Sequence, residues 1–200
     1  ELLPPGLPLL LCGAIHPDEF REFPGENKYG VLSPGNIEKN IALGLKLLPR
    51  TREIAIITAA GAEGEAIHRR LGELRPTAYR LTLINGAANT TAEMLDKVAA
   101  LPADAIVIFS DWQSARTDEG YQTPTTIIRR ITEKSPVPVF AVTDSYLNNA
   151  GLVGGIVTVG KTHGRDAAKL AKAILAGEAI PGQAPQMTEP TVCFHYPQFT

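Results

Sequence analysis

The sequence predicts an α/β fold: a doubly wound, mostly parallel sheet forming one complete lobe, flanked by fragments of a second. From Thr51 onward, short β-branched runs alternate with amphipathic helical patterns, the order that right-handed βαβ crossovers produce. Several of those runs are almost continuously apolar, as strands covered on both faces are. Two hundred residues at 44% hydrophobic and 20% charged can also bury a core without disulfides or metal.

Taken in order, the first strand is "PLLLCGA" (8–14), followed by a polar Pro/Gly loop. A helix over 36–48 has Ile37, Ile41, Leu45 and Leu48 in register. The strands of the lobe are then "EIAIITA" (53–59), "YRLTLIN" (79–85), "AIVIFS" (105–110), "VPVFAVT" (137–143) and "GGIVTVG" (154–160). Between them, a helix over 63–75 places Ala66, Ile67, Leu71 and Leu74 on one face, and one over 90–101 uses Met94, Leu95, Val98 and Leu101. Thr90 or Thr91 can cap the latter, with Glu93 in its first turn. A helix over 124–134 starts at Pro124 and buries Ile127, Ile128 and Ile131. The last, over 163–176, uses Ala167, Leu170, Ala171, Ile174 and Leu175, and Gly177 stops it. A Pro/Gly-rich linker and a strand-like "PTVCFHY" close the chain. The domain reading is therefore a remnant of a first lobe over 1–50, a complete lobe over 51–177, and a linker and closing segment over 178–200 that returns to the first lobe.

Charge excludes some partners. A net charge of -2 with no basic block leaves no electrostatic footprint for nucleic acid or a membrane surface. The longest apolar run, "LPLLLCGAI", is too short to span a bilayer and lacks the flanks of a signal peptide. Opening on Glu1 rather than Met reads as an excised or processed chain. Cys12 and Cys193 stand in no metal spacing and read as small buried hydrophobes, with no basis for pairing them. Composition leaves the compartment open.

In a doubly wound sheet ligands bind beyond the carboxyl ends of the strands, so the residues just after each strand carry the function. A dinucleotide site needs GxGxxG after the first strand; Gly61 and Gly64 are there, but the leading glycine and the acidic residue after the second strand are not. No GxxxxGK[ST] occurs, and "GLVGG" enters a strand rather than a helix, so its amides cradle no phosphate. Asp111, Thr143 and Lys161 imitate a phosphoacceptor receiver, yet the first strand ends in Thr58-Ala59-Ala60-Gly61 with no carboxylate pair for Mg²⁺. The four histidines are dispersed and no serine stands in GxSxG; His68 reads as a solvated face and His163 as part of a helix cap. No catalytic, metal or cofactor site is expected. What remains is a cleft lined by Asp111, Trp112, Gln113, Asp144, Ser145 and Tyr146, with Asn148 and Asn149 near. Trp112 is its aromatic platform, and amide, hydroxyl and carboxylate groups orient a small polar or amphipathic ligand.

Five stretches resemble the ABC-transporter substrate-binding-protein-like family with the type 1 periplasmic binding fold, in the form used as the extracytoplasmic sensor domain of bacterial histidine kinases. They are "PLLLCGAIHPDEF", "YGVLSPGNIEKNIALGLKLLPRTREIAIIT", "LPADAIVIFSDWQSARTDEGYQTPTTIIRRI", "VPVFAVTDSYLNNAGLVGGIVTVGKTHGRDAAKLAKAILAGEAIP" and "PTVCFHYPQF". The resemblance implies a non-catalytic domain holding its ligand between two lobes, with lobe closure as the signal. It implies ligand contacts from Gly13 and Ala14, from the 59–63 loop (Ala60, Gly61 and Glu63), from Ser110, Asp111 and Trp112, and from Asp144, Ser145 and Tyr146. It places most of the first lobe before residue 1, the domain on the periplasmic or extracellular side of a bacterial inner membrane, and any membrane contact in segments outside this chain. A homodimer is compatible with it. A solute-binding protein of a transporter is the alternative within the class, and a receiver domain the alternative outside it.

Overall fold

The apolar runs become strands, and the 3.6-residue patterns become helices, in the computed structural model. It describes residues 6–13, 17–25, 27–33, 35–74, 76–116, 120, 122–148, 151–178 and 184–195. In chain order the elements are β1 (Leu9–Gly13), α1 (Pro17–Glu22), β2 (Lys28–Leu32), α2 (Ile37–Leu47), β3 (Glu53–Thr58), α3 (Ala62–Gly72), β4 (Arg80–Asn85) and α4 (Thr91–Ala99). Then come β5 (Ala105–Phe109), α5 (Pro124–Lys134), β6 (Val139–Ala141), a single 3-10 turn (Asp144–Tyr146), β7 (Leu152–Val157), α6 (Gly160–Leu175), β8 (Gln186–Met187) and β9 (Thr191–Phe194).

The chain divides into two units. The larger comprises Asn36–Val157 with Val192–Thr200. Its six-stranded sheet runs β4-β3-β5-β6-β7-β9, and the pairs from β4 through β7 are parallel. β3 and β5 are buried at every position, which is why they read as unbroken apolar runs. Their side chains still alternate. Ile54, Ile56, Ile106 and Ile108 meet Ile37 and Ile41 of α2 and Ile67 and Leu71 of α3 on one face. Ala55, Ile57, Val107 and Phe109 meet Met94 and Val98 of α4 and Ile127, Ile128 and Ile131 of α5 on the other. Helices on both faces make the sheet doubly wound, as expected.

Local signals set the helix ends. Thr90 Oγ1 accepts the Glu93 N–H at 3.2 Å while Glu93 Oε2 accepts the Thr90 N–H at 2.8 Å, a complete capping box. Thr123 caps α5 by accepting the Thr126 N–H at 3.3 Å, with Pro124 in the first turn. α2 is fastened differently. The buried Asn40 side chain donates to the carbonyls of Ile156 and Asn36, each at 2.8 Å, and accepts the Ile156 N–H at 2.8 Å, tying the helix to β7.

The smaller unit comprises Glu1–Gly35 with Thr158–Thr191. Its sheet runs β1-β2-β8, both pairs parallel, and α6 packs on β1 and β2. Phe20 of α1 is 1% exposed, its ring lying where a side chain at Gly30 would stand. Lys28 donates to the Arg21 carbonyl at 2.8 Å and the Phe23 carbonyl at 2.5 Å, closing the end of α1 onto β2.

Four placements differ from the sequence expectation, the first being α2, expected with the first-lobe remnant over 1–50 but packed on the larger unit's sheet. The helix expected in the lobe over 51–177 is α6, and it belongs to the smaller unit's sheet instead. The segment after the linker, expected to return to the first lobe, supplies β9 beside β7, with the His195 N–H donating to the Val153 carbonyl at 2.9 Å. The polar loop after β1 contains α1 and the pentapeptide strand β2, too short and too glycine-broken to announce itself. Backbone pairing is blind to side-chain identity, so periodicity cannot say which sheet an element joins.

Candidate functional site

The strand order reverses at β3: the chain steps outward to β4, then crosses back to β5 on the other side. At such a switch point the loops leaving adjacent strands diverge and open a crevice at their carboxyl ends. Here, by contrast, the first residues of the loops after β3, β4 and β5 stay laced together by backbone. Ala60 N–H donates to the Gln113 carbonyl at 2.7 Å, Gly86 N–H to the Thr58 carbonyl at 3.0 Å, and Ala115 N–H to the Gly86 carbonyl at 3.0 Å. The approach is close enough that a Cβ on Gly86 would overlap the Gln113 carbonyl oxygen. Asn-Gly after a strand was the available signal for this junction, and only the folded loops show its purpose.

Around that junction the structure gathers nine of the residues singled out in sequence, all on the larger unit. Ala60 is half-buried, and Gly61 and Glu63 are exposed at the start of α3. Gly61 has φ 104°, a conformation that favours glycine. Half-buried Ser110 donates its N–H to the Ile57 carbonyl at 3.0 Å. Asp111 is exposed; its Oδ1 accepts the Trp112 N–H at 2.7 Å and lies 3.5 Å from the Tyr146 hydroxyl, which donates. Tyr146 is half-buried and meets the Phe109 ring edge-on, centroids 5.2 Å apart at 65°. Asp144 opens the 3-10 turn, and Ser145 is exposed with Oγ 3.3 Å from Thr143 Oγ1. Gln113 completes the set through its backbone.

Charge decides what this edge suits. Asp111, Asp144 and, from the first turn of α3, Glu63 and Glu65 bring four carboxylates to one end of the sheet. Glu63 and Glu65 already complement the positive end of the α3 dipole. Four carboxylates favour a hydrogen-bond donor or a cation here over an anion. Among the described residues no group of three or more His, Cys, Asp and Glu side chains could hold a metal ion.

Trp112 stands apart from the role expected of it. It is 7% exposed, packed in the core with α4 and α5, and its indole N–H donates to Thr91 Oγ1 at 3.2 Å. It forms one wall of a cavity of about 180 Å³ shared with Thr91, Gln113, Ser114, Gly120, Gln122 and Ile127. The half-buried aromatic beside Asp111 is Tyr146. A larger cavity of about 740 Å³ lies at the opposite, amino end of the strands, between Leu47, Leu48, Arg50, Arg52, Asp104 and Pro138. None of the expected site residues lines it. Gly13 ends β1 in the smaller unit, where its carbonyl accepts the Ser33 N–H at 2.9 Å. Ala14 and Asn149 lie outside the described residues, and Asn148 is exposed.

A parallel α/β sheet of this order, flanked by helices on both faces, has the architecture of a lobe of the periplasmic-binding-protein type. The chain belongs to the ABC transporter substrate binding protein family, whose sequence model matches residues 18–191. No curated protein matches the chain. Among solved structures it is similar to the ABC domain in complex with L-Trp from Streptococcus pneumoniae, with a TM-score of 0.67 at 13% identity over 92% of this chain and 62% of that one. It is also similar to a conserved domain protein from Vibrio cholerae O1 biovar El Tor, with a TM-score of 0.62 at 14% identity over 85% of this chain and 56% of that one. The chain thus spans less than two thirds of either, and at these identities the likeness speaks for the fold alone.

Proposed function

We propose that this chain captures a small polar or amphipathic molecule at the carboxyl edge of the larger sheet and leaves it chemically unchanged. The observation that carries the reading is the laced switch-point junction, at which Asp111, Asp144, Ser145 and Tyr146 gather. The carboxylates favour a ligand that donates hydrogen bonds or carries an ammonium group, and the Tyr146 ring offers its apolar portion a surface. An amino acid has both parts. The pneumococcal domain, described as a complex with L-Trp, supports testing that class first.

The test is a thermal-shift screen of this chain with L-tryptophan, other amino acids, purines and sugars, followed by calorimetry on any hit. Asp111→Ala and Tyr146→Ala should each weaken a binding amino acid by about 1–3 kcal/mol, as loss of a charged hydrogen bond or an aromatic contact does. Unchanged affinity in both variants would move the site elsewhere. Binding of phosphorylated compounds in preference to amines would overturn the ligand class.

We further propose that the whole protein uses this capture for signalling, as an extracytoplasmic sensor of the histidine-kinase type. A transport role is the second reading, supported by the description of the family itself. No helix among the described residues is long and apolar enough to cross a membrane, so either role draws any anchor from outside them. The complete coding sequence decides: a membrane span followed by kinase motifs supports the sensor, and neighbouring transporter genes support transport.

A further inference from the structure

The smaller unit brings together three side chains that no local motif links. Cys12 on β1 is exposed, with Sγ 3.2 Å from His163 Nε2. The other ring nitrogen, Nδ1, lies 2.7 Å from Thr188 Oγ1. Each partner is held by backbone: His163 N–H donates to the Val159 carbonyl at 3.0 Å in the first turn of α6, and Thr188 N–H donates to the Leu32 carbonyl at 3.0 Å. Thr188 is 5% exposed, so its hydroxyl is fixed against the ring.

This is a nucleophile, a base and an orienting group at hydrogen-bond reach of one another. The chemistry runs through one of the two tautomers these contacts accommodate. If Nδ1–H donates to Thr188 Oγ1, Nε2 is left with a lone pair facing the thiol, ready to accept its proton. After transfer the imidazolium keeps a partner on both nitrogens. Cys193 is the internal contrast: it is also a free thiol, half-buried, with no side-chain hydrogen bond among the described residues.

We propose that Cys12 is a base-assisted nucleophilic thiol, a site of modification by hydroperoxides. In the step, Sγ attacks the distal oxygen of the hydroperoxide, the S–O bond forms and the O–O bond breaks. The thiol proton passes to His163 Nε2 and from there to the departing oxygen, releasing water or an alcohol. Sulfur loses two electrons to the peroxide and becomes a sulfenic acid. Thr188 is a positioning residue that acts through the ring.

The experiment treats this chain with hydrogen peroxide, traps sulfenic acid with dimedone, and follows both cysteines by peptide mass spectrometry. Cys12 should be labelled faster than Cys193, and His163→Ala should slow Cys12 by about a hundredfold, the lower end of what a positioned base contributes, without changing Cys193. Thr188→Val should slow Cys12 in the same direction, and Thr188→Ser should restore it, which a merely structural role would not require. Circular dichroism and melting curves establish that each variant is folded. Equal Cys12 rates in the parent and His163→Ala would overturn the proposal. So would a Thr188→Ser variant as slow as Thr188→Val with both folded.

Discussion

At the scale of single residues, two buried polar side chains show how the larger unit is held. Asn40 satisfies both backbone groups of Ile156 while lying fully buried. Asn40→Ala would leave those half-buried groups without their partner, and urea unfolding should show a loss of about 1–3 kcal/mol, the range for unsatisfied partners. Glu53 is the second case. Burial pushes its carboxyl up, but the Thr82 hydroxyl at 2.6 Å and the Arg80 guanidinium, as hydrogen-bond donor and as charge, outweigh that and hold it below the ordinary carboxylate range. A depressed folded value means the contribution is fully present above the unfolded value, about 4.3, and is lost as pH falls through the folded one. Acid titration of stability should therefore be flatter below about pH 4.3 in Glu53→Gln than in the parent. A parallel decline would show that the depression is not coupled to folding.

At the scale of elements, caps and tight junctions matter more than propensity. Thr90→Ala removes one half of the α4 capping box and should cost about 1 kcal/mol, read as a lower urea midpoint with unchanged slope. Gly86→Ala acts on the loops rather than a helix. Its methyl would displace the Gln113 carbonyl and the Ala60 amide that define the switch-point junction, so a ligand-binding defect should accompany its lower melting temperature. The same comparison separates what sequence made legible. The helix starting at Pro124 and the Thr90–Glu93 start of α4 were readable because caps are local chemistry. The two-residue β8 and the five-residue β2 were not, since neither is long enough for alternation to register.

At the scale of the whole molecule, stability should follow burial. β3 and β5 are buried on both faces and paired on both edges, so their amides should exchange most slowly; β8, two exposed residues at a sheet edge, should exchange among the fastest. A bound amino acid at a hundred times its dissociation constant should raise the stability of the folded chain by about 2.7 kcal/mol, visible as a concentration-dependent melting temperature. That the candidate positions share one end of the sheet was legible, since every residue after a parallel strand ends there. Their individual duties were not. Trp112 was expected to face a ligand and instead fills the core beside Thr91, whereas Tyr146, one of several polar candidates in sequence, is the aromatic that reaches Asp111.

What the sequence determined by itself is everything carried by neighbours a few residues apart: the βα alternation, the doubly buried strands, the helix faces and their caps. Tertiary structure alone decided which sheet received α6 and β9, and that Cys12 meets His163, 151 positions away. Backbone groups pair without regard to side-chain type, and a contact across the fold leaves no periodic trace in the chain. Both are settled only when the sheets close and each apolar face has found its cover.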